Sequence, residues 1–182
     1  TIGLLFCCMG HLISELNSIQ NTLQEDYQSL FLNQLVSFKR KVAAFGFHFA
    51  SLDIRQDSRI LTKSLKHILE VKPTILVQNF AKLNDQEKIS ALLNISESIS
   101  IDELSDSIAI DTIESLQTMK EIQSLNGVRA CHRYIISNCR GPIDVARLIA
   151  LFRLSGWELN ELTVDIVPLF ETIYDLQGAE RS

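Results

Sequence analysis

Apolar residues recur every three or four positions along much of the chain, and this spacing predicts amphipathic helices. The first apolar stripe runs through residues 12–30, and the second runs through 33–45, where Gly46 ends the pattern. Asn84 and Glu87 have the spacing of a capping box, which marks the start of a later helix. The remaining predicted helices run from Asp57 or Ser58 to Pro73, from Asn84 to about Leu93, over about 106–125, and from Pro142 to Leu154.

Three short segments are continuously apolar and too short for helices, so they are predicted to be buried strands: 47–55, 132–137 and 162–171. Helices separate them, which favours parallel pairing in a βα arrangement. Three strands cannot close a barrel, and a sheet of three parallel strands has two unpaired edges. The predicted fold is therefore α/β and predominantly helical, a partial TIM-type (β/α) barrel with about three short parallel strands.

The bulk composition is that of a soluble globular domain, with 182 residues, 46% hydrophobic residues and a net charge of −5. A mildly acidic chain is a poor candidate for nonspecific nucleic-acid binding, because phosphate contacts need clustered Lys and Arg. The apolar opening segment is too short for a membrane span, and no basic residue precedes it as in a secretory signal. The chain starts at Thr1 without an initiator Met, so we expect a single fragment (1–182) of a larger protein.

The four cysteines do not have the spacing of a zinc ribbon, since Cys7 and Cys8 are adjacent and Cys131 and Cys139 lie eight apart. The motif CCMGH places His11 within ligand reach of the first pair, so a metal site there is one interpretation. Buried, reduced thiols of a cytosolic protein are the favoured interpretation.

Charged and polar residues lie at the ends of the predicted strands, where parallel α/β folds gather their reacting groups. Asp53 and Arg55 end the first strand on the same side, Ser137 ends the second, and Glu171 ends the third. A guanidinium binds phosphate or carboxylate in two places, and a carboxylate is the usual protein ligand for Mg²⁺. These residues together predict a site for a phosphorylated anion and its metal.

Structural alternatives exist for the same residues. Asp53 and Arg55 could form an internal ion pair, which would satisfy two charges near a barrel rim. Glu171 could cap the helical turn that follows it in TIYDL.

Three motifs resemble segments of one enzyme family, the phosphoenolpyruvate carboxylases. FGFHFASLDIRQDS resembles that family's F-G-x-x-L-x-x-L-D-I-R-Q-E-S, RYIISNCRGPIDV resembles A-Y-I-I-S-M-x-x-x-P-S-D-V, and DIVPLFETIYDL resembles V-V-P-L-F-E-T-x-x-D-L. The three occur in the family's order at compatible spacings, and LNDQEKISALL fits the helix between the first two. The similarity covers about residues 13–176.

The resemblance implies a fragment from the central part of a large cytoplasmic enzyme, a helix-rich α/β barrel that is usually a homotetramer. Such an enzyme joins bicarbonate to phosphoenolpyruvate with Mg²⁺ or Mn²⁺ and gives oxaloacetate and phosphate. Arg55 matches the family's active-site arginine, which binds the phosphate and the carboxyphosphate formed from it. Glu171 matches one of two acidic metal ligands, and Asp53 and Ser137 are possible supporting residues.

The sequence departs from the family pattern at a few positions. Ile60 and Leu61 replace a basic pair, and Asn138 and Ile143 stand where Met and Ser are usual. The loop with the second metal ligand, the Gly- and Arg-rich loop and the upstream histidine motif are not found in the chain. The isolated fragment is therefore expected to be inactive, and the alternative is a degenerate, non-catalytic relative acting as a binding or regulatory module.

Overall fold

The computed structural model describes residues 8–76 and 79–178, which form two compact units. The first unit comprises the chain up to Ser51 together with Ile122–Ala130, and the second comprises Leu52–Glu121 and the chain from Cys131 onward.

Two helices dominate the first unit, α1 (Cys8–Glu25) and α2 (Leu32–Phe45), which pack against each other. The second begins and ends almost where the sequence predicts. The first ends about five residues earlier than the predicted 12–30 segment, because three residues of the connection adopt left-handed backbone conformations that a helix cannot contain. They are Gln28 (φ 48°), Ser29 (φ 64°) and Phe31 (φ 61°).

The predicted strand over residues 47–55 is wrong for most of its length. Gly46 (φ 52°) and Phe49 (φ 60°) have left-handed backbone conformations, and the Phe49 N–H donates to the Phe45 carbonyl in a turn. The apolar side chains are also not buried, since Phe47 is 53% exposed and Phe49 is 79% exposed. The strand begins only at Asp53, so the apolar run precedes it rather than forming it.

The second unit contains three strands and the remaining helices, of which α5 extends into the first unit from Ile122. In chain order they are β1 (Asp53–Asp57), α3 (Ser58–Val71), α4 (Asp85–Leu93), α5 (Ser107–Asn126), β2 (Arg133–Ser137), α6 (Pro142–Leu154), β3 (Asp165–Pro168) and α7 (Ile173–Gly178). Short 3₁₀ turns lie at Pro73–Ile75, Phe80–Lys82, Ile101–Glu103, Val128–Ala130 and Leu159–Glu161.

The helix starts follow the capping signals of the sequence. Asp57 caps α3, its carboxylate accepting the Arg59 N–H at 2.8 Å. At the start of α4, the Asn84 side chain accepts the Glu87 N–H and the Glu87 carboxylate accepts the Asn84 N–H, so the predicted capping box is confirmed.

The strands form one parallel sheet in the order β1-β2-β3. The α/β class with a small parallel sheet in a mostly helical chain is therefore confirmed. β3 is shorter than the predicted 162–171 segment, so Glu171 lies three residues beyond the strand rather than at its last position.

One face of the sheet is covered and the other is open. On the covered face Tyr134 and Ile136 are buried, and Tyr134 makes an edge contact with the Phe152 ring of α6 at 5.8 Å between centroids. Trp157 continues this aromatic cluster, and its indole N–H donates to the Leu116 carbonyl at 2.9 Å.

The opposite face, which we call the open face, carries two rows of register-paired residues. The first row is Asp53, Arg133 and Asp165, and the second row is Arg55, Ile135 and Val167. All of these residues are exposed except Ile135, which is half-buried.

Cys131 and Cys139 are buried, and desolvation raises the pKa of each thiol. The alternative metal site at CCMGH involves Cys7 and the Cys8 side chain, which lie outside the described residues. Within residues 8–76 and 79–178, no helix is both long and apolar enough to cross a membrane.

Candidate functional site

The structure brings Arg55 and Glu171 together on the open face. Arg55 Nη2 lies 2.9 Å from Glu171 Oε1, although the two residues are 116 positions apart in the chain. Arg55 occupies the middle of β1, and Glu171 follows β3, so the pair joins the two outer strands of the sheet. The Arg55 side chain is 57% exposed and that of Glu171 is 33% exposed, which leaves both groups accessible to a ligand.

The alternative that Glu171 caps the following helix is wrong. At the start of α7 the Thr172 hydroxyl oxygen accepts the Asp175 N–H at 3.1 Å, and the same hydroxyl donates to the Asp175 carboxylate. Thr172 performs the capping, and the Glu171 carboxylate pairs with Arg55 instead.

Asp53 lies at the opposite end of the strand from the one predicted. It is the first residue of β1, at the amino end of the sheet, because the strand starts later in the sequence than its apolar pattern indicates. Its carboxylate pairs with Arg133 Nη1 at 3.2 Å, and not with Arg55 as the ion-pair alternative requires. The reactive end of a parallel sheet is its carboxyl end, so this position is unfavourable for a supporting role.

Ser137 ends β2 as predicted, but its hydroxyl is directed to the main chain. It is buried, and its Oγ donates to the Gln56 carbonyl of β1 at 3.2 Å. This hydrogen bond ties the carboxyl ends of two strands together, so any contribution of Ser137 to the site would be through positioning.

A polar network at the carboxyl end of β1 was not identified from the sequence. The Arg59 guanidinium binds the Asp57 carboxylate at 2.9 and 2.7 Å, and Asn138 Nδ2 donates to the same carboxylate at 2.8 Å. The Ser58 hydroxyl in turn donates to the Asn138 carbonyl at 2.7 Å. The capping signal at Asp57 was visible in the sequence, but its partner Asn138 is 81 residues away.

The network favours the ionised form of the Asp57 carboxyl group. The hydrogen bonds from Arg59, together with that from Asn138, hold the pKa of the Asp57 carboxyl well below its usual range. Asn138 adopts a left-handed conformation (φ 52°), which asparagine tolerates better than most residues. Arg59 also interacts electrostatically with Glu171, so the network borders the Arg55–Glu171 pair.

The described residues do not form a complete metal site by themselves, since 8–76 and 79–178 contain no group of three or more His, Cys, Asp or Glu side chains placed to hold an ion. Glu171 offers one accessible carboxylate, one oxygen of which is bound to Arg55. Mg²⁺ needs six oxygen ligands in an octahedral shell, and one carboxylate supplies only part of it.

Comparison with known proteins places these residues in context. The family model described as "Phosphoenolpyruvate carboxylase" matches residues 4–182. The chain is 31% identical over 172 residues to a phosphoenolpyruvate carboxylase of Trichormus variabilis, covering 91% of this chain and 16% of that protein. It is 33% identical over 168 residues to one of Nitrosomonas eutropha, covering 88% of this chain and 18% of that protein.

The chain therefore spans less than a fifth of the length of these curated relatives. The match nevertheless covers nearly all of the sequence, including the segments that carry Arg55 and Glu171. The chain belongs to the phosphoenolpyruvate carboxylase family.

Proposed function

We propose that this chain is the central part of a phosphoenolpyruvate carboxylase, a carboxy-lyase that adds bicarbonate to phosphoenolpyruvate and gives oxaloacetate and phosphate. The observation that carries this proposal is the 2.9 Å contact between Arg55 and Glu171, the two residues that match the family's active-site arginine and metal ligand. The complete enzyme would be a cytoplasmic homotetramer, as the family resemblance implies.

In this proposal the sheet is part of a TIM-type barrel. Its strands are parallel and follow one another in chain order, which is the arrangement of successive strands in such a barrel. The covered face would lie against the outer helices, and the open face would line the interior of the cylinder. The remaining strands would come from the rest of the longer protein.

Arg55 would bind the transferring phosphoryl group. In the reaction the phosphoryl group leaves the enol oxygen of phosphoenolpyruvate for an oxygen of bicarbonate, which gives carboxyphosphate and an enolate. The carboxyl group then joins the enolate carbon, and phosphate is released. A guanidinium can contact two phosphoryl oxygens at once, and it stabilises the charge that spreads over them during transfer.

Glu171 would supply one carboxylate to a Mg²⁺ or Mn²⁺ ion, and the other protein ligand would lie outside this chain. A divalent cation held there would neutralise negative charge on substrate oxygens. Asp53 has no role in this scheme, because its partner is Arg133 at the amino end of the sheet.

The alternative of a degenerate binding module was motivated by Ile60 and Leu61. Leu61 is completely buried in the apolar stripe of α3, and Ile60 is half-buried. Leu61 therefore packs in the core of the unit. The presence of leucine where the family has a basic residue is compatible with an active enzyme.

The full-length protein tests the proposal directly. We expect it to form oxaloacetate from phosphoenolpyruvate and bicarbonate in the presence of Mg²⁺, with one phosphate released for each oxaloacetate. Oxaloacetate is measured by coupling to malate dehydrogenase and NADH, and phosphate is measured separately. Phosphate release without oxaloacetate, or no reaction with either Mg²⁺ or Mn²⁺, would contradict the proposed activity.

A further inference from the structure

An open pocket of about 320 Å³ lies in the second unit where α3 and α6 begin. Neither Arg55 nor Glu171 lines it. Its lining consists of Ser58, Arg59, Thr62, Arg140, Asp144 and Arg147.

The lining of the pocket is positively charged. Three guanidinium groups and one carboxylate line it, which gives the lining a net charge of +2 in a chain whose total charge is −5. A concentration of positive charge that runs against the overall charge of the protein favours a negatively charged ligand.

The single carboxylate of the lining is already satisfied. Asp144 is buried, its Oδ1 is bound to Arg147 Nη1, and its Oδ2 accepts the backbone N–H of Arg140 at 3.0 Å. Asp144 therefore holds Arg147 in place. A guanidinium has five N–H donors, so the remaining donors of Arg147 are left for another acceptor.

The other two arginines also have donors to spare. Arg59 uses its Nε and Nη2 atoms toward Asp57, which leaves Nη1. The Arg140 guanidinium has no hydrogen bond or ion pair to any residue within the described part of the chain. Arg59 of α3, Arg147 of α6 and Arg140 of the connection before α6 thus offer donors to one space. Only some of these donors already have a protein acceptor.

The donor geometry favours a phosphate group over a carboxylate. A planar carboxylate has two oxygens and is satisfied by one guanidinium, whereas a phosphate group presents several oxygens that can bind guanidinium groups from different directions. The helix starts at Ser58 and Pro142 add their positive ends to the same region. The volume lies at the lower end of the range for small-molecule pockets, which suits a compact ligand.

We propose that this pocket, defined by Arg59, Arg140 and Arg147, binds the phosphate group of a small anion at a position that borders the Arg55–Glu171 pair but does not include it. The ligand is either free inorganic phosphate or a small phosphate monoester. The inference goes beyond the proposed carboxylase activity and does not depend on it.

The experiment measures binding calorimetrically in the full-length protein carrying Arg55→Ala, so that the phosphate contact proposed for Arg55 is removed. Inorganic phosphate, glycerol 3-phosphate and malonate are titrated into this protein, with and without a second substitution, Arg140→Gln. Arg140 is exposed and its side chain has no partner among the described residues, so this change removes a ligand contact without removing a packing contact. The matched control is Lys66→Gln, which removes one positive charge from an exposed position further along α3.

We expect saturable binding of a phosphate-bearing probe that Arg140→Gln weakens at least about tenfold, the effect of one charge-assisted hydrogen bond to an ionised group. Lys66→Gln is expected to change the affinity by less than about twofold, because an exposed charge outside the pocket acts only through screened electrostatics. Tighter binding of glycerol 3-phosphate than of phosphate would identify an ester as the ligand, and the reverse would identify the free ion.

Three results would overturn the inference. They are the absence of saturable phosphate binding, equal affinities with and without Arg140→Gln, and tighter binding of malonate than of either phosphate probe. Failure of the carboxylase proposal is recognised separately, from the absence of oxaloacetate formation in the protein with Arg55 intact.

Discussion

Removing either partner of the Arg55–Glu171 pair distinguishes a structural ion pair from a catalytic one. The perturbations are Arg55→Ala, Glu171→Ala and the double substitution, each made in the full-length protein. The two possible roles predict free-energy changes of very different size, in two different measurements.

The structural contribution of the pair is small. The two side chains are 57% and 33% exposed and share one contact at 2.9 Å. Exposed pairs of this kind contribute about 0.2–1 kcal/mol to stability, because solvent screens the attraction and two long side chains lose conformational freedom. A double-mutant cycle on the free energy of unfolding should therefore give a coupling energy within that range.

The catalytic contribution, if the proposed roles are right, is several times larger. Removing one preorganised group that stabilises developing charge costs about 10²–10³ in kcat, or about 2.7–4 kcal/mol. We expect each single variant to lose at least that factor in kcat/KM. The double variant should lose less than the product of the two factors, since both groups act on the same reacting phosphoryl group.

The assay is NADH-coupled oxaloacetate formation at saturating bicarbonate, with urea denaturation of the same samples. Arg133→Ala is the matched control, because its pair with Asp53 lies on the same open face and is similarly exposed, at 46% and 39%. It should affect stability about as much as Arg55→Ala and leave turnover within about twofold, because it lies at the amino end of the sheet. Turnover of Arg55→Ala or Glu171→Ala within about fivefold of the unsubstituted enzyme would refute the assigned roles.

Three further predictions concern stability and the isolated chain. Asp57→Asn should lower the free energy of unfolding at pH 7, measured by urea denaturation, by about 1–2 kcal/mol. The substitution removes the charge that binds Arg59, while an asparagine can still cap α3. The pKa of Asp57 in the folded protein lies below its value in the unfolded chain. The stability difference between the unsubstituted protein and Asp57→Asn should therefore be fully present above about pH 4 and decline as the pH falls further. An undiminished stability difference at pH 3 would contradict this prediction. Trp157→Phe should lower the free energy of unfolding, measured by far-UV circular dichroism, by about 1–3 kcal/mol, because the Leu116 carbonyl loses its buried indole donor; a change below about 0.5 kcal/mol would show that water replaces the donor. The isolated 182-residue chain should form no oxaloacetate in the coupled assay, since one carboxylate is only part of a metal shell; sustained turnover would show that the chain is sufficient.

The helices were largely predictable because their signals are local. The apolar stripe of α3 and the caps at Asp57 and Asn84 lie within a few residues of the groups they contact, so the sequence contains the whole interaction. The apolar spacing predicts the end of α1 too late, because this spacing continues through Tyr27 and Leu30 where the backbone already turns.

The apolar pattern predicts the first strand in the wrong place. Its residues, Asp53 to Asp57, are mostly polar because one face of the sheet is open, and the apolar run before it suggested burial that the described part of the chain does not provide. Hydrophobicity reports on burial, and it does not by itself report on strand pairing.

The site was predicted in part. The alternation of strands and helices predicts the parallel sheet that brings Arg55 and Glu171 together. It predicts both residues at strand ends, however, whereas Arg55 lies in the middle of β1 and Glu171 lies beyond the end of β3. The pairing of Asp53 with Arg133 depends on strand register, and the contact between Asp57 and Asn138 depends on two loops meeting in space. Neither register nor loop geometry can be read from one sequence without an alignment.

In the proposed site, an anion and a cation that each replace the contact between Arg55 and Glu171 would help each other to bind. An anion that takes the guanidinium leaves the carboxylate without its counter-ion, and a cation that takes the carboxylate frees the guanidinium. The free-energy cost of separating the two groups is incurred only once, when the first ligand binds. The second ligand then binds a group whose contact is already broken. Occupancy by anion and cation is thus thermodynamically linked, and by reciprocity each raises the affinity for the other by the same factor.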